Sequence, residues 1–329
     1  MKTIEKYIDQ ANIIVIIQAD NPDADSLSSA LALERLLFQS GKDPILYCGV
    51  DIPGYLKYIK GWDRVINELP KKFDLSIIVD NSSLILLESL VKTKQIGWIK
   101  TKPCIVIDHH STQTTLDFIK ASMIEKAVST TELVYKIAKS NNWNVDEETA
   151  ELITIGILSD SMGLTTDQVT KQSIDIVADM VGIGVKLSEI DAKRKELSKK
   201  TPQLVKYKSI LLSRIQYELG GRIAHISIPW NEIEKYSHEY NPPMLVMEEM
   251  KQIKDVELAI AFKSYPDGRI TAKLRSNPGF PICAELAENF GGGGHPYASG
   301  FRVTDKRSLD QVKTEAFKIA GELLNKSES

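Results

Sequence analysis

The stretch that decides the fold is Pro103-Cys104-Ile105-Val106-Ile107-Asp108-His109-His110. A short, largely β-branched apolar run ends on one carboxylate and two adjacent imidazoles. Neighbouring side chains on a strand point to opposite faces, so one core cannot bury both histidines. At the C-terminal end of a strand, where the chain turns, both can reach a crevice. Open α/β sheets place their chemistry there. The ordinary alternative is a solvated turn with an aspartate cap.

Two further stretches have the same grammar. Ile13-Ile14-Val15-Ile16-Ile17 leads into Gln18-Ala19-Asp20-Asn21-Pro22-Asp23-Ala24-Asp25, and Leu75-Ser76-Ile77-Ile78-Val79 leads into Asp80-Asn81-Ser82-Ser83. They read as parallel strands delivering carboxylates to one edge. A fourth acid, Asp160, follows the apolar run 152–158, which is long enough to be a buried helix. Several acids at equivalent positions, with two histidines, imply a shared cation site. Uncompensated carboxylates would repel and raise one another's pKa.

Composition sets the bounds. At 329 residues the chain is long enough for two domains with substantial cores. The apolar fraction, 43%, is that of a folded globular protein. A net charge of −3 supplies no global basic field, which argues against coating long nucleic acid but leaves room for a local anion pocket. The odd, scattered cysteines Cys48, Cys104 and Cys283 read as reduced thiols of a cytosolic protein. No signal peptide and no membrane span is legible, so the expectation is a soluble, cytoplasmic protein without a membrane partner.

Along the chain, strands and helices alternate from the N-terminus through 182. Helices are expected at 1–11, 26–40 and 84–99, a second strand at 44–48, and a helix start at Ser129-Thr130-Thr131-Glu132. This predicts a doubly wound, mostly parallel α/β domain over 1–186. The polar, lysine-rich run 187–205 reads as a linker helix. Residues 222–229, 256–263 and 269–275 look like strands, mostly hairpin-paired, and 281–290 and 306–325 like helices. The second domain, 206–329, is therefore expected to be a smaller α+β unit. His225 and His238 have no motif around them and read as structural or surface residues.

Taken together, Asn21-Pro22-Asp23-Ala24-Asp25, the strand-end Asp80, Asp108-His109-His110 and Asp160 resemble the DHH phosphoesterase superfamily. The second half, with Leu274-Arg275-Ser276, the run from Ile282 to Gly291-Gly292-Gly293-Gly294-His295, and Ala298-Ser299-Gly300, looks like its associated DHHA1 substrate-binding domain. The match spans nearly the whole chain in order. The layout is most similar to the NrnA-like branch, which cleaves very short oligonucleotides and dephosphorylates 3′-phosphoadenosine 5′-phosphate.

That resemblance implies a two-metal site in the cleft between the domains, with manganese as the expected cofactor and magnesium as a substitute. It implies that Asp25, Asp80, His109 and Asp160 hold one metal, and that Asp23 and Asp80 contribute to the other. His110 would face the phosphate or the leaving group, and Asp108 would orient a histidine. Arg275, Ser276, His295 and the nest of amides from Gly291, Gly292, Gly293 and Gly294 would bind the substrate. The substrate would be a short RNA or DNA oligonucleotide or a small nucleotide, and a homodimer is a possible assembly.

One departure is important. The histidine that usually opens the first motif falls at Ala19, which has no ligand atom. Either water or a carbonyl completes that site, or the second metal is weak. Three alternatives follow: a RecJ-like 5′ single-strand exonuclease, a phosphodiesterase of cyclic or linear dinucleotides, and a catalytically reduced nucleotide-binding protein.

Overall fold

Ile14, Val15, Ile16 and Ile17 are all inaccessible to solvent, so the first strand has core on both faces. That is the pattern of an inner parallel strand. The computed structural model describes residues 2–110, 114–197 and 199–327. The chain divides into two units, Met1–Lys199 and Lys200–Ser329.

The elements of the first unit are α1 (Lys2–Gln10), β1 (Ile13–Ile17), α2 (Ala24–Gln39), β2 (Asp43–Tyr47), β3 (Leu75–Val79), α3 (Glu88–Lys92), α4 (Ile96–Lys100), β4 (Cys104–Asp108), β5 (Ala121–Ile124), α5 (Thr130–Ser140), α6 (Glu147–Asp160), α7 (Lys171–Ile183) and α8 (Leu187–Leu197). The sheet is fully parallel in the order β2-β1-β3-β4-β5. The chain winds outward from β1 to β2, then crosses back to β3 on the other side. The C-terminal ends of β1 and β3 thus flank a topological switch point, where a crevice opens.

Ile14, Ile16, Ile77, Val79, Ile105 and Ile107 face a core shared with α2, α5 and α6. Val15, Ile17, Ile78 and Val106 face the opposite core, with Leu87, Leu90 and Ile99. Helix α2 is buried along most of its length, and α6 packs beside it. Arg35 of α2 fastens the pair, meeting Asp146 at 2.6 Å and Glu148 at 2.7 Å.

The helix expected over 84–99 is broken. The Thr93 hydroxyl donates to the Ser89 carbonyl at 2.7 Å, and Lys94 turns into the left-handed region at φ +60°. The segment becomes a 3-10 turn, Leu84–Leu87, followed by α3 and α4. Edge strand β5 was not expected, because four residues with one buried apolar side chain, Met123, carry little periodic signal.

The second unit contains α9 (Pro202–Leu212), β6 (Gln216–Glu218), β7 (Ile223–Ile228), α10 (Trp230–Tyr236), α11 (Met247–Lys251), β8 (Leu258–Ser264), β9 (Ile270–Ser276), α12 (Cys283–Glu288), β10 (Gly293–His295), β11 (Ala298–Val303) and α13 (Leu309–Ser327). Its sheet runs β10-β11-β9-β8-β7-β6. Neighbouring strands are antiparallel except β7 and β8, which are parallel and joined through α10 and α11. Leu258, Ile260, Phe262, Ala272, Leu274 and Phe301 pack on one face with α12 and α13. Ala224, Ile226, Ile228, Ala259 and Ala261 pack on the other with α9 to α11.

All three cysteines are buried and free. Among the described residues no helix is long and apolar enough to cross a membrane.

His225 on β7 is buried at 2% exposure, and neither ring nitrogen has a hydrogen-bond partner. Burial, then Lys313, pulls it down to about 4. The unfolded chain therefore takes up the proton first as pH falls through 6.5. Stability from this residue is intact above that pH and is lost between pH 6.5 and 4, by about 2 kcal/mol at pH 5. Urea unfolding of the protein and of His225→Leu at pH 7.5 and pH 5 should show a smaller acid-induced loss in the variant. Equal losses would mean the imidazole titrates alike in both states.

Candidate metal centre

Four side chains from four places in the chain converge at the switch point. Asp25 lies in the first turn of α2, Asp80 just after β3, His109 just after β4, and Asp160 on the last residue of α6. His109 Nε2 lies 3.3 Å from Asp160 Oδ2, 3.5 Å from Asp80 Oδ1 and 4.0 Å from Asp25 Oδ2.

Local structure aims each group. Asp80 adopts φ +57°, a left-handed conformation that aspartate tolerates better than most residues. Its amide donates to the Ile107 carbonyl at 2.9 Å, which fixes the turn. Its Oδ1 accepts from the Thr130 hydroxyl at 2.9 Å. Asp25 is completely buried and accepts from the amides of Thr130 at 2.6 Å and Thr131 at 3.1 Å. Those amides open α5, whose N-terminal dipole favours a negative charge. His109 Nδ1 sits 3.2 Å from the Ala127 carbonyl. That contact places a proton on Nδ1 and leaves Nε2 facing the carboxylates.

Burial and mutual repulsion shift the charges of this cluster. Burial, then Asp160, raises Asp25 to about 7. Burial, then Asp25 and Asp23, raises Asp80 well above the ordinary carboxylate range. Burial opposes charge on His109, but Asp160 and Asp25 prevail and hold it at about 9. His109 Nε2 is buried with no hydrogen-bond partner. Asp25, His109 and Asp160 form one group with metal-ligand spacing, and Asp80, His109 and His110 another. Carboxylate oxygens with imidazole and no thiolate suit manganese or magnesium better than a structural zinc ion. These residues therefore fit a divalent cation.

Asp108 is fully buried, and its Oδ1 accepts both the His110 amide at 3.1 Å and His110 Nδ1 at 2.7 Å. Burial resists ionisation of Asp108, yet the His110 contacts hold its pKa below the usual value. His110 remains partly exposed, at 31% of its side chain, and lies 3.7 Å from Asp80 Oδ1. The pair forms an oriented imidazole beside the cluster.

Asp23 lies at the edge of the cluster, where burial and the charge of Asp160 raise its pKa and its own charge acts on Asp25 and Asp80. Its Oδ1 caps α2 by accepting the Ser26 amide at 2.9 Å. Ala19 is buried and offers only its carbonyl, which accepts the Cys48 thiol at 3.3 Å. Asp20 Oδ2 accepts the Ser89 amide at 2.6 Å, and its Oδ1 is buried without a hydrogen-bond partner. Gln18 is buried with both amide atoms unpartnered.

Three participants escaped the sequence reading. Thr130 and Thr131 were legible only as a helix start. Gly156 was legible only as part of an apolar helix. A Cβ at Gly156 would lie 2.3 Å from Thr131 Oγ1 and 2.5 Å from Asp25 Oδ1. Gly156 is what allows α6 to close on the cluster.

In the second unit, Arg275 and His295 share one face of the sheet, through the pairing of each with Ala298. Ser276 faces the other side, buried, its hydroxyl accepting the Cys283 thiol at 3.4 Å. Gly292 and Gly294 sit where a Cβ would strike β11, at 2.3 Å from the Gly300 carbonyl and 2.7 Å from Ser299 Cα. A Cβ at Gly293 would meet no heavy atom within 4 Å.

This is a parallel α/β sheet that gathers three carboxylates and an imidazole, groups able to hold a cation, at its switch point. Residues 13–157 match the DHH family, N-terminal domain, and residues 240–324 match the DHHA1 domain. The chain thus carries a DHH-family N-terminal domain followed by a DHHA1 domain. It is 23% identical over 312 residues to a protein of Thermus thermophilus named bifunctional oligoribonuclease and PAP phosphatase NrnA, covering 93% of this chain and 89% of that one. It is 22% identical to the Bacillus subtilis protein of the same name, covering 95% of each. The crystal structure of an exopolyphosphatase-related protein from Bacteroides fragilis has the same fold, with a TM-score of 0.85 at 22% identity over 99% of this chain and 96% of that one.

Proposed function

We propose that this chain is a manganese-dependent phosphoesterase that hydrolyses short oligonucleotides and small phosphorylated nucleotides. The observation that carries this reading is the buried cluster of Asp25, Asp80, His109 and Asp160, with His109 Nε2 orphaned among the carboxylates. The names of the Thermus and Bacillus relatives support the same chemistry and the same substrate class.

Asp25, Asp80, His109 and Asp160 would hold one cation, and Asp23 and Asp80, whose charges act on one another, would contribute to a second. Bound there, divalent cations would neutralise phosphoryl charge and lower the pKa of an attacking water. His110 is the acid–base group. Asp108 holds its Nδ1, so Nε2 is the atom that gives a proton to the leaving oxygen. Arg275, His295 and the open backbone at Gly293 would receive the nucleotide, Arg275 through a charge-assisted contact to phosphate. The buried, unpaired thiols fit a reducing compartment such as the cytoplasm.

A second reading rests on Ala19, which brings no ligand atom to the switch point. On that reading one cation binds tightly, the other weakly, and the chain turns over slowly or only binds.

Turnover of a panel in manganese and in EDTA tests both. The panel comprises a dinucleotide, a five-residue oligoribonucleotide, long single-stranded DNA, 3′-phosphoadenosine 5′-phosphate and a linear diadenylate. The expected result is chelator-sensitive hydrolysis of the short members and none of the long DNA. Degradation of the long DNA from its 5′ end would overturn the preference for short substrates. Exclusive use of the diadenylate would make the chain a dinucleotide phosphodiesterase. No turnover, with one manganese bound by calorimetry, would leave the binding protein.

A further inference from the structure

The sheet of the second unit is covered unevenly. On the face that carries Ala259 and Ala261, the core formed with α9, α10 and α11 draws its strand residues from β7 and β8 alone. Strands β9, β11 and β10 continue that face beyond the helices. Residues directly opposite in an antiparallel pair point to the same side. The register therefore sets out three rows on this face: His295, Ala298, Arg275 and Ala259; then Gly293, Gly300, Lys273 and Ala261; then Arg302, Thr271 and Lys263.

The arrangement has the chemistry of an anion site. Lys273 stands between Gly300 and Ala261, so neither flanking position carries a side chain longer than a methyl group. Glycine at 300 is also required by the backbone, because a Cβ there would lie 2.7 Å from the Ala272 carbonyl. Among the described residues none of Lys263, Lys273, Arg275 and Arg302 forms an ion pair, and Arg275 Nη1 donates only to the Leu274 carbonyl, at 2.8 Å. Burial lowers the Lys273 pKa, and Arg275 and Lys263 lower it further. A half-buried ammonium beside two other cations is a group that an anion would stabilise. Alternate residues on a strand are about 6.8 Å apart. That separation is of the order of the distance between two phosphates on either side of one ribose.

We propose that Lys273 is a second phosphate anchor, through which this unit selects nucleotides that carry two phosphates separated by one ribose. Arg275 takes one phosphate and Lys273 the other, over a floor of small residues that lets the sugar approach the sheet. This rests on the nucleotide-directed reading above and adds a specificity-determining residue to it.

The test is equilibrium binding to the full chain in EDTA, with two ligand pairs that differ by one phosphate. These are AMP against 3′-phosphoadenosine 5′-phosphate, and ApA against pApA. The unmodified chain should bind the two-phosphate member of each pair about tenfold more tightly or better. Lys273→Gln should bring both ratios to within about threefold while leaving AMP and ApA nearly unchanged, and should flatten the salt dependence of pApA binding by about 0.7 in the log–log slope. Lys273→Arg should retain the ratios, which separates lost charge from lost structure. Ratios unaffected by Lys273→Gln, equal weakening of both members of a pair, or no nucleotide binding by the unmodified chain would each overturn the proposal. Intact discrimination without turnover on the substrate panel would instead count against the phosphoesterase reading alone.

Discussion

Asp80→Asn should reduce phosphoester hydrolysis by about a thousandfold or more while the protein remains folded. Asparagine keeps the shape, tolerates the left-handed turn at φ +57°, and still accepts the Thr130 hydroxyl. What it loses is a charge within 4 Å of both histidines, 3.5 Å from His109 Nε2 and 3.7 Å from His110 Nδ1. Stability should respond in the opposite sense. In the metal-free protein the folded pKa of Asp80 lies well above its unfolded value, and that of Asp25 stands at about 7. The stability these groups contribute is complete below about pH 4 and is lost as pH rises through the folded values. Removing one charge relieves this repulsion, so in EDTA at pH 8 the variant should melt no lower than the parent. Added manganese should raise the midpoint of the parent and not of the variant. Full activity in Asp80→Asn, or an equal rise of both midpoints with manganese, would remove the basis for placing the cation here.

Gly156→Ala should be nearly as damaging, although it touches no substrate and removes no ligand. The added Cβ would fall within 2.5 Å of Thr131 Oγ1 and Asp25 Oδ1, both held in place by their own contacts. The cheapest relief is for α6 to move away from α2 and α5, and Asp160 lies one helical turn further along α6. Overpacking of this kind costs about 1–3 kcal/mol of stability. A shift of about 1 Å in a ligand is enough for a loss of about a hundredfold in rate. The control is Gly182→Ala on α7, where a Cβ would meet no heavy atom within 4 Å and the backbone is helical. That change should be neutral or stabilising by about 0.5–1 kcal/mol. Wild-type rate and manganese affinity in Gly156→Ala would show that α6 can yield without moving Asp160.

Much of the first unit was legible because its information is local. Runs such as Ile13–Ile17 and 104–107 are short, apolar and largely β-branched, which suits strands with core on both sides. Each breaks off where polar residues begin, so the strand ends, and with them Asp80 and His109, could be placed without coordinates. The residue types there also limited the chemistry: carboxylates gathered in a buried crevice raise one another's pKa unless a cation joins them.

What the sequence could not specify depends on distant partners. Thr93 and Lys94 divide an apolar segment that reads as one helix, because side-chain and left-handed backbone preferences are weak until packing selects them. The strand Gly293–His295 has no hydrophobic pattern and exists through its pairing with Ala298–Val303. Asp23 and Asp25 look equivalent in the motif, yet one caps a helix and the other is sunk beneath the amides of Thr130 and Thr131, more than a hundred residues away. Arg275 and Ser276 are neighbours in the chain, but strand alternation sends the serine into the core. The sequence by itself determined which groups are present and at which strand ends they stand. Only the tertiary structure decided which of them meet, because a carboxylate's role is set by the donors and charges that other segments bring to it.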